Sequence, residues 1–265
     1  MKTFSNILKA DLYKFKYAKW TWILPIVYFA LMLISYGLIY YILRIGMDLD
    51  EPMAEEFIAI SAKDSLITSP NSSNFVLGFV IVTTIFICKE FKSGFTKLRI
   101  SRGNNKTELY LSKLVILAGV TIVYTIGLYV LSAILNLCFF GVQSWTATEI
   151  ANIFRSVALS CLVNVANVAL GIMIAYLIRN LGGSIAINIG VVLTESLLVS
   201  IAAFIEGNHP LKYAMYGLPA NLISLAGNLD SYDTTILVEI IVIPIFVIAI
   251  CSVISALTFK ARDVK

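Results

Sequence analysis

The chain carries stretches that are too long and too apolar to be wetted. No charged side chain interrupts Trp20 to Leu43, and similar runs recur at Ser65 to Cys88, Leu114 to Thr148 and Ser156 to Ile178. About 20 predominantly apolar residues are enough for a helix to cross the hydrocarbon core of a bilayer. The runs are continuous rather than alternating, which is the pattern of spanning helices and not of barrel strands. Composition points the same way: 59% of the 265 residues are hydrophobic and 14% charged. A soluble domain carries roughly a quarter charged residues. The expected fold is an all-α polytopic membrane protein with six transmembrane helices.

The runs set the expected organisation. An amphipathic arm covers 1–19, followed by a first span at 20–43 and a loop at 44–68. A second span covers 69–88, a polar loop 89–113 and a third span 114–140. The fourth and fifth spans cover 151–178 and 182–205. A segment at 206–234 precedes the sixth span at 235–259. The first run is too long for a signal-peptide core and no small-residue cleavage site follows it, so it is expected to be retained as a helix. In the arm, Phe4, Ile7, Leu8, Leu12 and Phe15 recur at helical spacing with Lys2, Lys9 and Lys16 around them. That pattern suits an interfacial helix, with Trp20 and Trp22 at the headgroup boundary.

Charge gives the orientation. Apart from Arg44, Lys63, Arg155 and Lys212, every Lys and Arg falls in the arm, the 89–113 loop, the turn after the fourth span or the tail. Acidic residues crowd the opposite side, as Asp48, Asp50, Glu51, Glu55, Glu56 and Asp64 and again as Glu206, Asp230 and Asp233. Basic residues gather on the cytoplasmic side, so both termini are expected inside.

Chemistry-bearing motifs are sparse. Cys88, Cys138, Cys161 and Cys251 all sit in apolar runs and read as small buried hydrophobes. His209, the single histidine, falls in an expected loop, where a Ser–His pair is not expected, and no H-E-x-x-H zinc motif occurs. Glu55 and Glu56 make an acidic pair, but Ile60 stands where a glutamate-type membrane protease needs a basic residue. No G-x-x-x-x-G-K-S/T sequence occurs, so the chain has no P-loop for ATP. It is not expected to be an enzyme, nor to bind nucleic acid.

The polar loop reads KEFKSGFTKLRISRGNNKTELYLSKL. Its Glu90, Phe91, Gly94, Lys97, Arg99, Gly103, Lys106 and Tyr110–Lys113 resemble the cytoplasmic loop after the second helix in ABC-2 type transporter permeases. The resemblance is to the short permeases of low-GC Gram-positive bacteria, where the loop reads E-Y/F-x-x-G-T-I-R-N-K, then G-x-S-R, then Y-L-S-K. This chain departs at Phe95, Asn105 and Lys106, where Thr, Ser and Arg are usual. The resemblance implies a single transmembrane domain over 1–265 in a bacterial cell membrane, with a partly re-entrant extracellular segment at 206–234. It implies two copies of a separate ATPase subunit, which hold the ATP and magnesium, and a second permease copy or paralogue. Glu90, Gly94, Lys97, Arg99, Gly103, Lys106, Tyr110 and Lys113 would form the ATPase-coupling loop. The implied cargo is a hydrophobic or amphipathic compound such as an antimicrobial peptide or a drug. Two other classes fit the same topology: an ATP-independent carrier or channel, and a non-transporting scaffold or sensor. The loop could also simply obey the charge rule or bind anionic headgroups.

Within the fifth span lies Glu195, whose carboxylate at that depth costs about 3 kcal/mol on insertion scales unless it is paired or protonated. It is expected either to line a substrate route or to fix helix packing. Asn164 and Asn167 are its candidate partners. They belong to a stripe of Ser156, Ser160, Asn164, Asn167 and Gly171 that reads first as a helix–helix seam.

Overall fold

The computed structural model describes residues 2–43, 51–71, 73–142, 144–202, 204, 222 and 234–261. These residues form nine α-helices and no strand. In chain order the helices are α1 (Lys2–Tyr17), α2 (Lys19–Tyr41), α3 (Glu51–Thr68), α4 (Ser73–Lys92), α5 (Phe95–Ser101), α6 (Lys106–Phe140), α7 (Ala147–Ile178), α8 (Leu181–Ala202) and α9 (Thr234–Ala261). Five are long and apolar enough to cross a membrane: α2 over Thr21–Tyr41, α6, α7, α8 over Leu181–Leu198 and α9 over Ile240–Ala261. The protein is a helical membrane protein. The second expected span is also a helix, α4, but its last turn carries Lys89, Glu90 and Lys92, and it is not one of the five.

At several points the helices differ from the sequence expectation. The 44–68 loop contains the helix α3, while residues 44–50 lie outside the described residues. α6 begins at Lys106 rather than 114, because Asn105 caps it by accepting a hydrogen bond from the Thr107 amide at 3.1 Å. α7 begins at Ala147 behind a capping box in which Thr146 and Glu149 satisfy each other's backbone amides. The 206–234 segment, with His209, lies outside the described residues except for Leu222 and Thr234. Of the cysteines, Cys88 and Cys251 are buried, whereas Cys138 is exposed and Cys161 half-buried.

Helix α7 is the centre of the bundle and packs against α9, α6, α4 and α8. Where helices approach closely, glycine makes room. Gly171 of α7 faces Val80 of α4, and a Cβ there would lie 3.1 Å from Val80 Cγ1. Gly78 of α4 lies under the ring of Tyr28 from α2, whose hydroxyl donates to the Phe75 carbonyl at 2.8 Å. Proline supplies another junction. Pro25 of α2 has no N–H to give the carbonyl four residues back, that of Thr21. The Tyr124 hydroxyl from α6 donates to that carbonyl at 3.1 Å.

Candidate functional site

The 89–113 segment folds as a helix hung between two glycines. Gly94 (φ 67) ends α4 and opens α5, and Gly103 (φ 84) ends α5. Both lie in the left-handed region that glycine adopts without strain. Beyond α5, the Gly103 amide donates to the Ile100 carbonyl and the Asn104 amide to the Arg99 carbonyl, closing a Schellman turn. The chain therefore reverses twice and sets α5 beside α1.

The two faces of α5 differ. Thr96 and Arg99 are buried, whereas Lys97, Leu98, Ser101 and Arg102 are exposed. Arg99 Nη1 donates to Asp11 Oδ1 at 2.6 Å. Asp11 lies on α1 and is fully buried. Its other oxygen accepts from the Ser112 hydroxyl at 3.0 Å and lies 3.8 Å from Lys113 Nζ. Lys113 Nζ also pairs with Glu90 Oε2. Glu90 Oε1 in turn accepts from Lys14 of α1 at 2.7 Å. Two carboxylates and three cations thus join α1, α4, α5 and α6 into one buried network. Aromatic rings enclose it: Lys113 Nζ lies 5.0 Å from the Phe86 ring centroid and Arg99 Cζ 4.6 Å from that of Phe95.

Burial raises the Glu90 pKa, but the ammonium groups of Lys113 and Lys14 outweigh it and hold the carboxyl below its ordinary value of 4.5. A depressed carboxylate stabilises the fold above its unfolded pKa and loses that contribution as pH falls through the folded value. The parent is therefore expected to melt at a higher temperature than Glu90→Gln in detergent, with a constant margin above pH 4.5. That margin should close as pH falls below it.

These contacts sort the loop residues named from the sequence. Glu90, Arg99, Tyr110 and Lys113 turn inward, Lys97 points out, and Gly94 and Gly103 bracket α5. Lys106 is half-buried, and its Nζ donates to the Lys260 carbonyl at 3.3 Å. Arg99 was expected to offer its charge to a partner, but that charge is committed to Asp11. Tyr110 packs edge-on against Tyr176 with centroids 5.5 Å apart. Tyr176 likewise meets Phe259 and Phe91, so this cluster ties α4, α6, α7 and α9 just beneath the charges. Sequence reasoning did not single out Asp11, Lys14 or Phe86. The usable signal was Asp11 itself, the single acid in the arm, set four residues from both Ile7 and Phe15.

The intramembrane polar residues lie apart from the network. Tyr129 of α6 hydrogen-bonds Ser156 and Ser160 at 2.8 and 2.9 Å, and Asn164 Nδ2 donates to Thr125 Oγ1 at 3.1 Å. Asn167 Nδ2 donates to the Val163 carbonyl at 3.2 Å. The stripe on α7 is thus a seam, against α6 through its polar groups and against α4 through Gly171. Glu195 is buried on α8.

Fold and network together define a multi-pass helical membrane protein whose N-terminal helix is joined to a short exposed helix by a buried ion pair and to two longer helices by others. The chain belongs to a family described as "Protein of unknown function (DUF2705)", whose model matches residues 55–265. That match includes Glu90, Arg99 and Lys113 but not Asp11 or Lys14. No curated protein matches the chain.

Proposed function

We propose that the chain is the membrane subunit of an ATP-driven transporter and that a separate ATPase subunit docks on the exposed face of α5. The observation that carries this reading is the two-sided character of α5. Its outer face presents Lys97, Leu98, Ser101 and Arg102, and its inner face is bonded through Arg99 to Asp11. A push on α5 is passed to α1, α4 and α6 through ion pairs rather than lost in a loose loop. A loop that only balanced charge would have no need for a buried face.

In this reading α4 is the sixth span, both termini are cytoplasmic, and Lys89, Glu90 and Lys92 mark where α4 leaves the membrane. A second copy or paralogue completes the translocation path in the bacterial cell membrane. The chain performs no hydrolysis itself; ATP and magnesium belong to the partner. The cargo is a hydrophobic or amphipathic compound, an antimicrobial peptide or a drug, moved outward. Glu195 is the intramembrane group most suited to meet a cationic cargo.

The test is purification in mild detergent from the native host, with its ABC-type ATPase subunits co-expressed. The ATPase should copurify, and Lys97→Glu with Arg102→Glu should weaken its binding while leaving the melting temperature unchanged. Each reversed rim charge costs about 1 kcal/mol, so the pair should weaken binding roughly tenfold or more, with marked salt dependence. Failure of any ATPase to copurify with the parent, or unchanged binding by the double variant, would refute the docking face.

A further inference from the structure

A second feature lies along α1 and α6, beside the charge network. Leu8, Leu12 and Lys16 of α1, Trp22 of α2 and the Val115–Tyr124 stretch of α6 line a groove of about 460 Å³. Its lining is almost entirely apolar, and it follows α6 for about 13 Å at the usual rise per residue. Leu12, Val115 and Val123 are strongly exposed. In water such a surface would be costly, but here it lies where α1 crosses two helices apolar enough to span a membrane. One lining residue, Lys16, carries a charge, its ammonium 5.9 Å from the Tyr17 ring centroid. Lys16 is exposed at the rim, and its carbonyl accepts the Trp22 indole N–H at 3.0 Å, which fixes the corner between α1 and α2. Among the described residues, no acidic side chain lines the groove. Gly119 leaves the floor open, since a Cβ there would meet nothing within 4 Å.

We infer that this groove binds one anionic phospholipid, an acyl chain lying along Val115–Tyr124 and the phosphate at Lys16. The occupant follows from the combination. An apolar trough along a spanning helix accepts a hydrocarbon chain, and a cation with no competing acid at its mouth selects an anionic headgroup. An indole at the rim is the side chain suited to the headgroup boundary. The site is separate from the α5 face and does not depend on whether an ATPase docks there.

Trp22 lines the groove and is therefore a built-in probe. With Trp20→Phe and Trp145→Phe it becomes the sole tryptophan, since the chain has three. The protein is placed in phosphatidylcholine vesicles containing phosphatidylglycerol, with brominated acyl chains carried by one lipid or the other. Brominated phosphatidylglycerol should quench Trp22 with an apparent affinity about fivefold above brominated phosphatidylcholine, the factor expected for one basic side chain at an anionic surface. Lys16→Gln, a change at an exposed position, should bring that ratio to one. Gly119→Phe should fill the floor and reduce quenching by both lipids. Equal quenching by the two lipids in the parent would overturn the proposal, as would a preference that survives both substitutions. Absence of quenching in the parent would also overturn it, because a second protein copy would then cover the groove.

Discussion

Asp11→Ala is expected to be the most damaging single change on the polar side of the protein. It strips Arg99 of its carboxylate and leaves Lys113 with Glu90 alone. Arg99 is then a buried cation held only by the face of Phe95 and its own backbone turn. Breaking a buried ion pair from one side costs about 3–5 kcal/mol, because the remaining charge keeps its desolvation penalty. The loss should appear as a lower melting temperature in detergent and as faster tryptic cleavage at Lys9, Lys14 and Lys16 as α1 lifts away. Leu12→Ala, at an exposed position on the same helix, should change neither. Exchanging the charges, with Asp11→Arg and Arg99→Asp together, should recover part of the loss, whereas each single reversal should be worse than Asp11→Ala. A protein that melts and is cleaved like the parent when Asp11 is alanine would show that the network is not a clamp.

The second large effect is expected at Gly78, from steric rather than electrostatic causes. A Cβ at that position would collide with the Tyr28 hydroxyl and lie 2.5 Å from Tyr28 Cζ and 2.6 Å from Leu24 Cδ1. Tyr28 cannot simply swing aside, because its hydroxyl is bonded to the Phe75 carbonyl and its ring meets those of Phe75 and Phe79 edge-on. Overpacking costs about 1–3 kcal/mol, and losing the hydrogen bond adds about 1 kcal/mol more. Gly78→Ala should therefore lower the melting temperature clearly. Tyr28→Phe should not rescue it, since Cζ remains in the way. Tyr28→Ala should remove the Tyr28 collision and open space into which the end of the flexible Leu24 side chain can move, so the double variant should be little worse than Tyr28→Ala alone. Additive losses in the double variant would place the damage elsewhere.

Much of this architecture was legible because membranes impose simple rules. Long apolar runs identified the helices α2, α6, α7, α8 and α9, and the stripe from Ser156 to Gly171 identified the face of α7 that makes a seam. Gly94 and Gly103 were legible only through the resemblance, and the structure supplies the backbone reason: the chain reverses at both ends of α5 through left-handed residues. Asn105 was noted as a departure from the usual Ser, and the structure gives it a role either residue fills, since Ser and Asn are both strong N-caps. What could not be read was the pairing. Glu90 and Lys113 are brought together only by the two reversals around α5, and neither residue's spacing encodes its partner. Asp11 was hidden by its company, because a lone acid among lysines on an amphipathic arm looks like part of a solvated face. The apolar residues of that arm also split. Ile7 and Phe15 pack on the protein with Asp11 between them, while Leu8 and Leu12 turn to the groove. Helix α3 escaped notice because its apolar residues show no clear helical period among Glu55, Glu56, Lys63 and Asp64.

The length of α6 settles a remaining question of placement. Its 35 residues reach about 52 Å at the usual rise, against a hydrocarbon core of about 30 Å. Even a tilted helix must leave roughly a dozen residues in the headgroups or in water. Lys106 to Lys113, with Glu108 among them, form the polar end that can project. Lys113, where the ion pairs converge, closes that polar end, so the clamp sits where α6 passes from its polar turns into its apolar run.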